Sequence, residues 1–144
     1  TVIHPHAGGY IEFADEIRQV IADIPHSVAG LCLDTGHLHY SGMDPVLWLR
    51  GHADRLDYVH FKDINPDVYR QVMGEHIAFF DACAKGVMCP IGKGCIDYKA
   101  VRQVLTDIGY HGYITIEQER DPRNSGTSLR DVTESLNYLQ GAGF

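Results

Sequence analysis

The sequence has no apolar run approaching the roughly 18–20 residues that a membrane-spanning helix needs, so no span is expected. Its start lacks the basic, apolar and small-residue order of a secretory signal. Cations are short as well: 12 Lys+Arg stand against 19 Asp+Glu, a formal net charge of −7. No stretch interleaves basic with aromatic residues, which argues against a nucleic-acid partner, because phosphate neutralisation requires such a surface. Cys32, Cys83, Cys89 and Cys95 lack the C-x-x-C spacing of a redox motif or structural zinc site, and Cys32 lies inside an apolar run, so all four read as reduced thiols. Low-complexity tracts and internal repeats are missing too. These absences lead us to expect a soluble cytoplasmic protein. With 144 residues, 44 % of them hydrophobic and 22 % charged, the composition is that of one globular domain. The chain begins at Thr1 without an initiator methionine, which we read as a piece of something longer.

Periodicity supplies the elements. Thr1 to His4 is a short β-like run cut by Pro5. From Ile11 to Ile24, apolar residues recur every three or four positions, predicting an amphipathic helix. Val28 to Leu33 is continuously apolar, as in a strand covered on both faces, and stops at Asp34-Thr-Gly36. Asp44-Pro45 opens a helix to about Arg55, with Asp as cap and Pro in the first turn. Asp57 to Phe61 reads as a strand, and one longer helix follows Pro66 through Ala84, weakened by Gly74. After the breaker-rich loop Cys89 to Gly94, Asp97 caps a helix reaching Ile108 and closed by Gly109. A strand at Tyr113 to Glu117 and a helix from about Ser128 to Gln140 complete the chain.

Strands alternating with helices imply an α/β fold with a parallel sheet and right-handed crossovers. A doubly wound sheet would carry a glycine-rich phosphate loop after its first strand, and the Gly8-Gly9 pair matches neither known pattern. The competing architecture is part of a (β/α)8 TIM barrel, whose chemistry sits at the C-terminal ends of the strands. Here those ends read His4-Pro-His6, Asp34-Thr-Gly-His37, His60-Phe-Lys-Asp63 and Glu117-Gln-Glu119. Taken alone, Asp34 fits an Asx turn, Glu117 a surface charge and His60 a core histidine. A parallel sheet brings all of them to one edge, and histidine with carboxylate is the donor chemistry of a borderline to hard divalent ion.

Five linked motifs resemble the xylose-isomerase-like (β/α)8 superfamily: Leu33-Asp-Thr-Gly-His37, Gly42-Met-Asp-Pro45, Val59-His-Phe-Lys-Asp63, Pro90-Ile-Gly-Lys-Gly94 with Ile96-Asp97, and Ile116-Glu-Gln118. Within it they are most similar to the inosose-dehydrating branch. The resemblance covers essentially the whole chain but only the C-terminal half of such a barrel, a single domain over residues 1–144. It implies a divalent metal ion, Mn²⁺ or Co²⁺ ahead of Mg²⁺ or Zn²⁺, held by His4, Asp34, His60 and Glu117, with His6 able to replace His4. It further implies that His37 and His6 share substrate orientation and proton transfer, with Lys62 holding a substrate oxygen, during dehydration of 2-keto-myo-inositol in inositol catabolism. A metal-dependent ketose epimerase or sugar isomerase is the alternative, and a non-catalytic fragment lacking the other half a third.

The acidic balance fits a neutral polyol-derived ketone or sugar as the small-molecule partner. Trp48, Phe79 and Phe80 read as helix residues packing on the sheet, His39 and Cys89 as residues near the site or in plain turns, and His26, His52, His76 and His111 as residues without a role. Four strands cut from a barrel would leave two open edges and expose inward-facing residues such as Leu31 and Leu33. The expected remedy is homo-oligomerisation or pairing with an N-terminal half-barrel.

Overall fold

A computed structural model describes all residues, Thr1–Phe144. Its centre is β2 (Gly30–Asp34), with every residue buried. To one side lies β1 (Val2–Ile3), and to the other β3 (Leu56–Phe61) followed by β6 (Ile114–Ile116), giving a parallel sheet of order β1-β2-β3-β6. Register pairs Ile3 with Leu31, Leu33 with Val59, Asp34 with His60, and Phe61 with Ile116. A shift between Leu31 and Cys32 sets the pairing of the upper half of β2. β1 and β6 are the edges, each hydrogen-bonded on one side only.

Helices α1 (Ala14–Asp23), α3 (Pro45–Gly51) and α6 (Tyr98–Asp107) cover one face. Leu31, Leu33, Val59 and Phe61 from the strands and Ile17, Trp48, Leu49, Val101 and Val104 from the helices belong to one buried cluster. This corrects the expectation for Leu31 and Leu33. They are 0 % and 1 % exposed beneath the helices, and the period of two turns Cys32 and Asp34 to the other face. Asp44 caps α3 by accepting from the amides of Val46 and Leu47, and Asp97 caps α6 through those of Lys99 and Ala100. At the lower end of the sheet, the buried Arg55 guanidinium donates to the carbonyls of Ile21, Ile24 and Ala29, tying the end of α1 to the start of β2.

Three features depart from the periodicity. A short helix, α2 (Thr35–Tyr40), springs directly from Asp34. The predicted long helix is two, α4 (Pro66–Gly74) and α5 (Phe79–Ala84), parted where His76 takes a left-handed φ of 54°. Folding back in this way buries Val72, Phe79 and Ala82 in a second cluster with Ala7, Tyr40 and Ile64, while Phe80 points to solvent at 74 % exposure and does not pack as expected. Two short strands, β4 (Asp63–Ile64) and β5 (Met88–Cys89), form an antiparallel ribbon beside the main sheet.

The ribbon is secured by Asp63, whose side chain is fully buried. Oδ1 accepts from the amides of Ile64 (2.9 Å) and Ile96 (3.0 Å), and Oδ2 from those of Gly92 (2.9 Å) and Gly94 (3.2 Å). This carboxylate fixes the glycine-rich loop on β4, directly after Lys62. The last helix, α7 (Ser128–Gly141), adds Leu139 to the main core. No helix is long and apolar enough to cross a membrane.

Candidate active site

All seven residues singled out from the sequence converge at the C-terminal edge of the sheet, because the register sets the strand ends side by side. Asp34 and His60 are Cα partners, and the Glu117 amide donates to the Phe61 carbonyl at 2.9 Å. One donor atom each from His4, Asp34, His60 and Glu117 lies within 4.8 Å of the other three.

Each donor is aimed by a second bond. His4 Nδ1 donates to the Cys32 carbonyl at 3.1 Å, leaving Nε2 to face the cluster. Asp34 Oδ1 caps α2 by accepting the His37 amide at 2.8 Å, which leaves Oδ2. His60 Nδ1 donates to Glu117 Oε2 at 2.9 Å. His4 Nε2 and Asp34 Oδ2 are buried without a hydrogen-bond partner. Buried polar atoms are rarely left so, and two converging in one cluster mark a place for a cation. The residues therefore fit a divalent metal ion.

Behind this cluster lies the Lys62 ammonium, 0 % exposed. It donates to Glu119 Oε2 at 2.7 Å and to His37 Nε2 at 2.8 Å, and stands 3.3 Å from Glu117 and 3.6 Å from Asp34 Oδ2. Its backbone is held in turn: the Lys62 amide donates to Thr35 Oγ1, and its carbonyl accepts from both Thr35 Oγ1 and Tyr98 Oη. A Cβ on Gly36 would come within 2.7 Å of Lys62 Cγ, so the glycine is required by the lysine stem. His6 Nε2 reaches Glu119 Oε1 at 3.2 Å, and the His6 and His37 rings lie 3.7 Å apart centre to centre.

Environment sets the charges. Burial raises the Asp34 carboxyl to about 6, against the pull of the Lys62 ammonium. The hydrogen bond from His60, with Lys62 behind it, holds Glu117 well below the usual carboxylate range. Burial works against the charge of Glu119, but His6 and Lys62 outweigh it and lower its pKa. Burial, then the neighbouring Lys62 charge, keeps His37 neutral, whereas the bond to Glu119 raises His6. His4 is lowered by burial and offers a neutral ring. Cys32, beneath the cluster, is pushed up to about 12 by burial.

Glu119 is the residue sequence reading passed over. Its signal was present in the period of two, which puts it on the same side of the chain as Glu117. His39 points away from the cluster and instead meets Cys95 Sγ at 3.4 Å. Cys89 lies in β5, paired with Asp63, and not over the cluster. Two histidines given no role do have partners: His26 bonds Asp57 at 2.9 Å and His52 stacks on Trp48.

Residues 1–141 match the model of the xylose isomerase-like TIM barrel. The chain belongs to that family. It is 40 % identical over 121 residues to an inosose dehydratase of Geobacillus kaustophilus, covering 84 % of this chain and 39 % of that protein. Over 140 residues it is 33 % identical to an inosose dehydratase of Clostridium tetani, covering 97 % and 47 %. The chain thus spans less than half the length of these relatives. Among solved structures, a xylose isomerase domain protein from Planctomyces limnophilus superposes with a TM-score of 0.73 at 25 % identity, covering 98 % of this chain and 45 % of that one. The IolI protein, solved with a bound zinc atom, gives 0.65 at 19 % identity, covering 98 % and 46 %. Each superposition takes in less than half of the neighbour's chain.

Proposed function

We propose that this chain carries the metal-binding half of a hydro-lyase that dehydrates 2-keto-myo-inositol or a closely related polyol ketone. The observation that supports this most directly is the cluster of His4, Asp34, His60 and Glu117, with two buried donor atoms that make no hydrogen bond, in a chain similar to inosose dehydratases. These four residues would hold Mn²⁺ or Co²⁺, with Mg²⁺ or Zn²⁺ as substitutes, and a bound ion would polarise the substrate ketone and acidify the neighbouring C–H.

The protein's own groups divide the remaining work. His37, 3 % exposed and held neutral by burial and by the Lys62 charge, is a weak base and is suited to orient the substrate. His6, biased toward its protonated form by Glu119 and half open to solvent, is suited to deliver a proton to the departing hydroxyl. Lys62 touches Glu119 and His37 together, so it orients both and holds the negative charge of the site in balance. A ketose epimerase would use the same donors, and the product distinguishes the two.

Mn²⁺ or Co²⁺ should raise the melting temperature of the chain, since a ligand that binds only the native state stabilises it. Asp34→Asn and His60→Ala should lose that increment. If both variants keep it, the site is wrong. Formation of a dione from 2-keto-myo-inositol supports dehydration, and epimerisation of a ketose without dione formation overturns it.

A further inference from the structure

The cation cluster has a soft neighbour. Cys32 lies two residues before Asp34 on β2, so its side chain takes the same face one step lower. Its sulfur, a His4 nitrogen and a His60 nitrogen lie within 4.8 Å of one another, as the donors of His4, Asp34, His60 and Glu117 do among themselves. The two histidines are therefore shared by two donor sets, one completed by carboxylates and the other by a thiol. Cys32 is 1 % exposed and has no disulfide partner. Its carbonyl accepts the His4 Nδ1 proton, which frees Nε2 for either set.

Carboxylate oxygen suits Mg²⁺ and Mn²⁺, whereas thiolate with imidazole suits zinc and its heavier, thiophilic congener cadmium. Bonds of about 2.3 Å to sulfur and about 2.0–2.1 Å to nitrogen place neighbouring ligands of tetrahedral zinc roughly 3.3–3.6 Å apart, so a trio already this close needs small side-chain rotations to close on an ion.

We propose that Cys32 is an alternative ligand that makes the coordination depend on the ion: cadmium is taken by His4, Cys32 and His60, while Mn²⁺ stays on the carboxylate set. The thiol proton leaves to solvent as the metal–sulfur bond forms, and no oxidant or reductant is involved. The inference rests on the proposed metal centre, and its test separates the two.

Cd²⁺ added to the 144-residue chain should produce an ultraviolet sulfur-to-metal charge-transfer band and a strongly deshielded ¹¹³Cd resonance, while Mn²⁺ raises the melting temperature without such a band. Cys32→Ser should lose the band and weaken Cd²⁺ binding by about tenfold or more, yet keep the Mn²⁺ thermal shift. Cys95→Ser, which alters the exposed thiol, should leave the band intact. A Mn²⁺ shift with no band for wild type, or a band that survives in Cys32→Ser, overturns the role of Cys32 and leaves the metal centre standing. No response to any ion overturns both. Should Cys32→Ser fail to fold, the wild-type ¹¹³Cd resonance decides, since nitrogen and oxygen ligands alone would leave it shielded.

Discussion

Replacing Asp63 by asparagine changes one oxygen to an amide nitrogen at constant shape, at a position where four backbone amides converge on a fully buried carboxylate. The asparagine oxygen can keep two of those bonds. Its NH₂ group then faces the other two N–H groups, donor against donor, and all of them are left unpaired. Each buried donor so orphaned costs about 1–3 kcal/mol, partly offset because a buried charge is no longer desolvated, so a net loss of about 3 kcal/mol is expected. For a domain of this size that lowers the melting temperature by roughly 6–12 °C. Urea unfolding gives the free energy, and amide hydrogen exchange at Gly92 and Gly94 or at Ile64 and Ile96 reports which pair of bonds is lost. Gly94→Ala attacks the same clamp from the other side, since its Cβ would sit 2.2 Å from Asp63 Oδ1. The two costs should therefore combine to less than their sum. A loss below about 1 kcal/mol in Asp63→Asn, with unchanged exchange at all four amides, would refute the clamp.

Trp48→Ala should cost about 3–5 kcal/mol as a core truncation while leaving the metal-dependent thermal shift in place; loss of that shift at unchanged stability would contradict the packing role of Trp48. Asp131 is held down to about 2, first by the Thr127 hydroxyl and then by Arg120 and Arg130. Because its unfolded value is near 3.9, its stabilising contribution is complete above about pH 4 and is lost as pH falls toward 2. Asp131→Asn should flatten the stability profile across that window, and an identical acid slope in both proteins would refute it. The edges of β1 and β6, with Val2 39 % and Ile114 37 % exposed, should drive association with another copy or with an N-terminal half-barrel. Sedimentation of a folded monomer at micromolar concentration would contradict this.

Much of this arrangement was legible because it follows from short-range rules. Asp44-Pro45 and Asp97 start helices where local capping chemistry says they should, and the apolar run before Asp34 can only be a buried strand. The gathering of His4, Asp34, His60 and Glu117 was legible for a different reason: parallel strands put their C-terminal residues at one edge whatever lies between them. What escaped is tertiary. The break between α4 and α5 is decided by Phe79 and Ala82 turning under the ribbon toward Tyr40, a choice that helical periodicity does not contain. Leu31 and Leu33 were assigned to the wrong face because an unbroken apolar run has no alternation to orient it. Glu119 was visible in the strand-end motif, but its partners Lys62 and His6 lie 57 residues away or further in the chain.

The glycine of Asp34-Thr-Gly-His37 invites explanation by its own turn, yet its backbone is not left-handed and nothing local demands it. The space its side chain would fill is occupied by the Lys62 stem, which follows the end of β3. Positions 36 and 62 thus share a single volume, and the information written at one is partly a statement about the other. A library that varies either alone samples mostly misfits; the pair is the smallest unit in which this corner of the site can change.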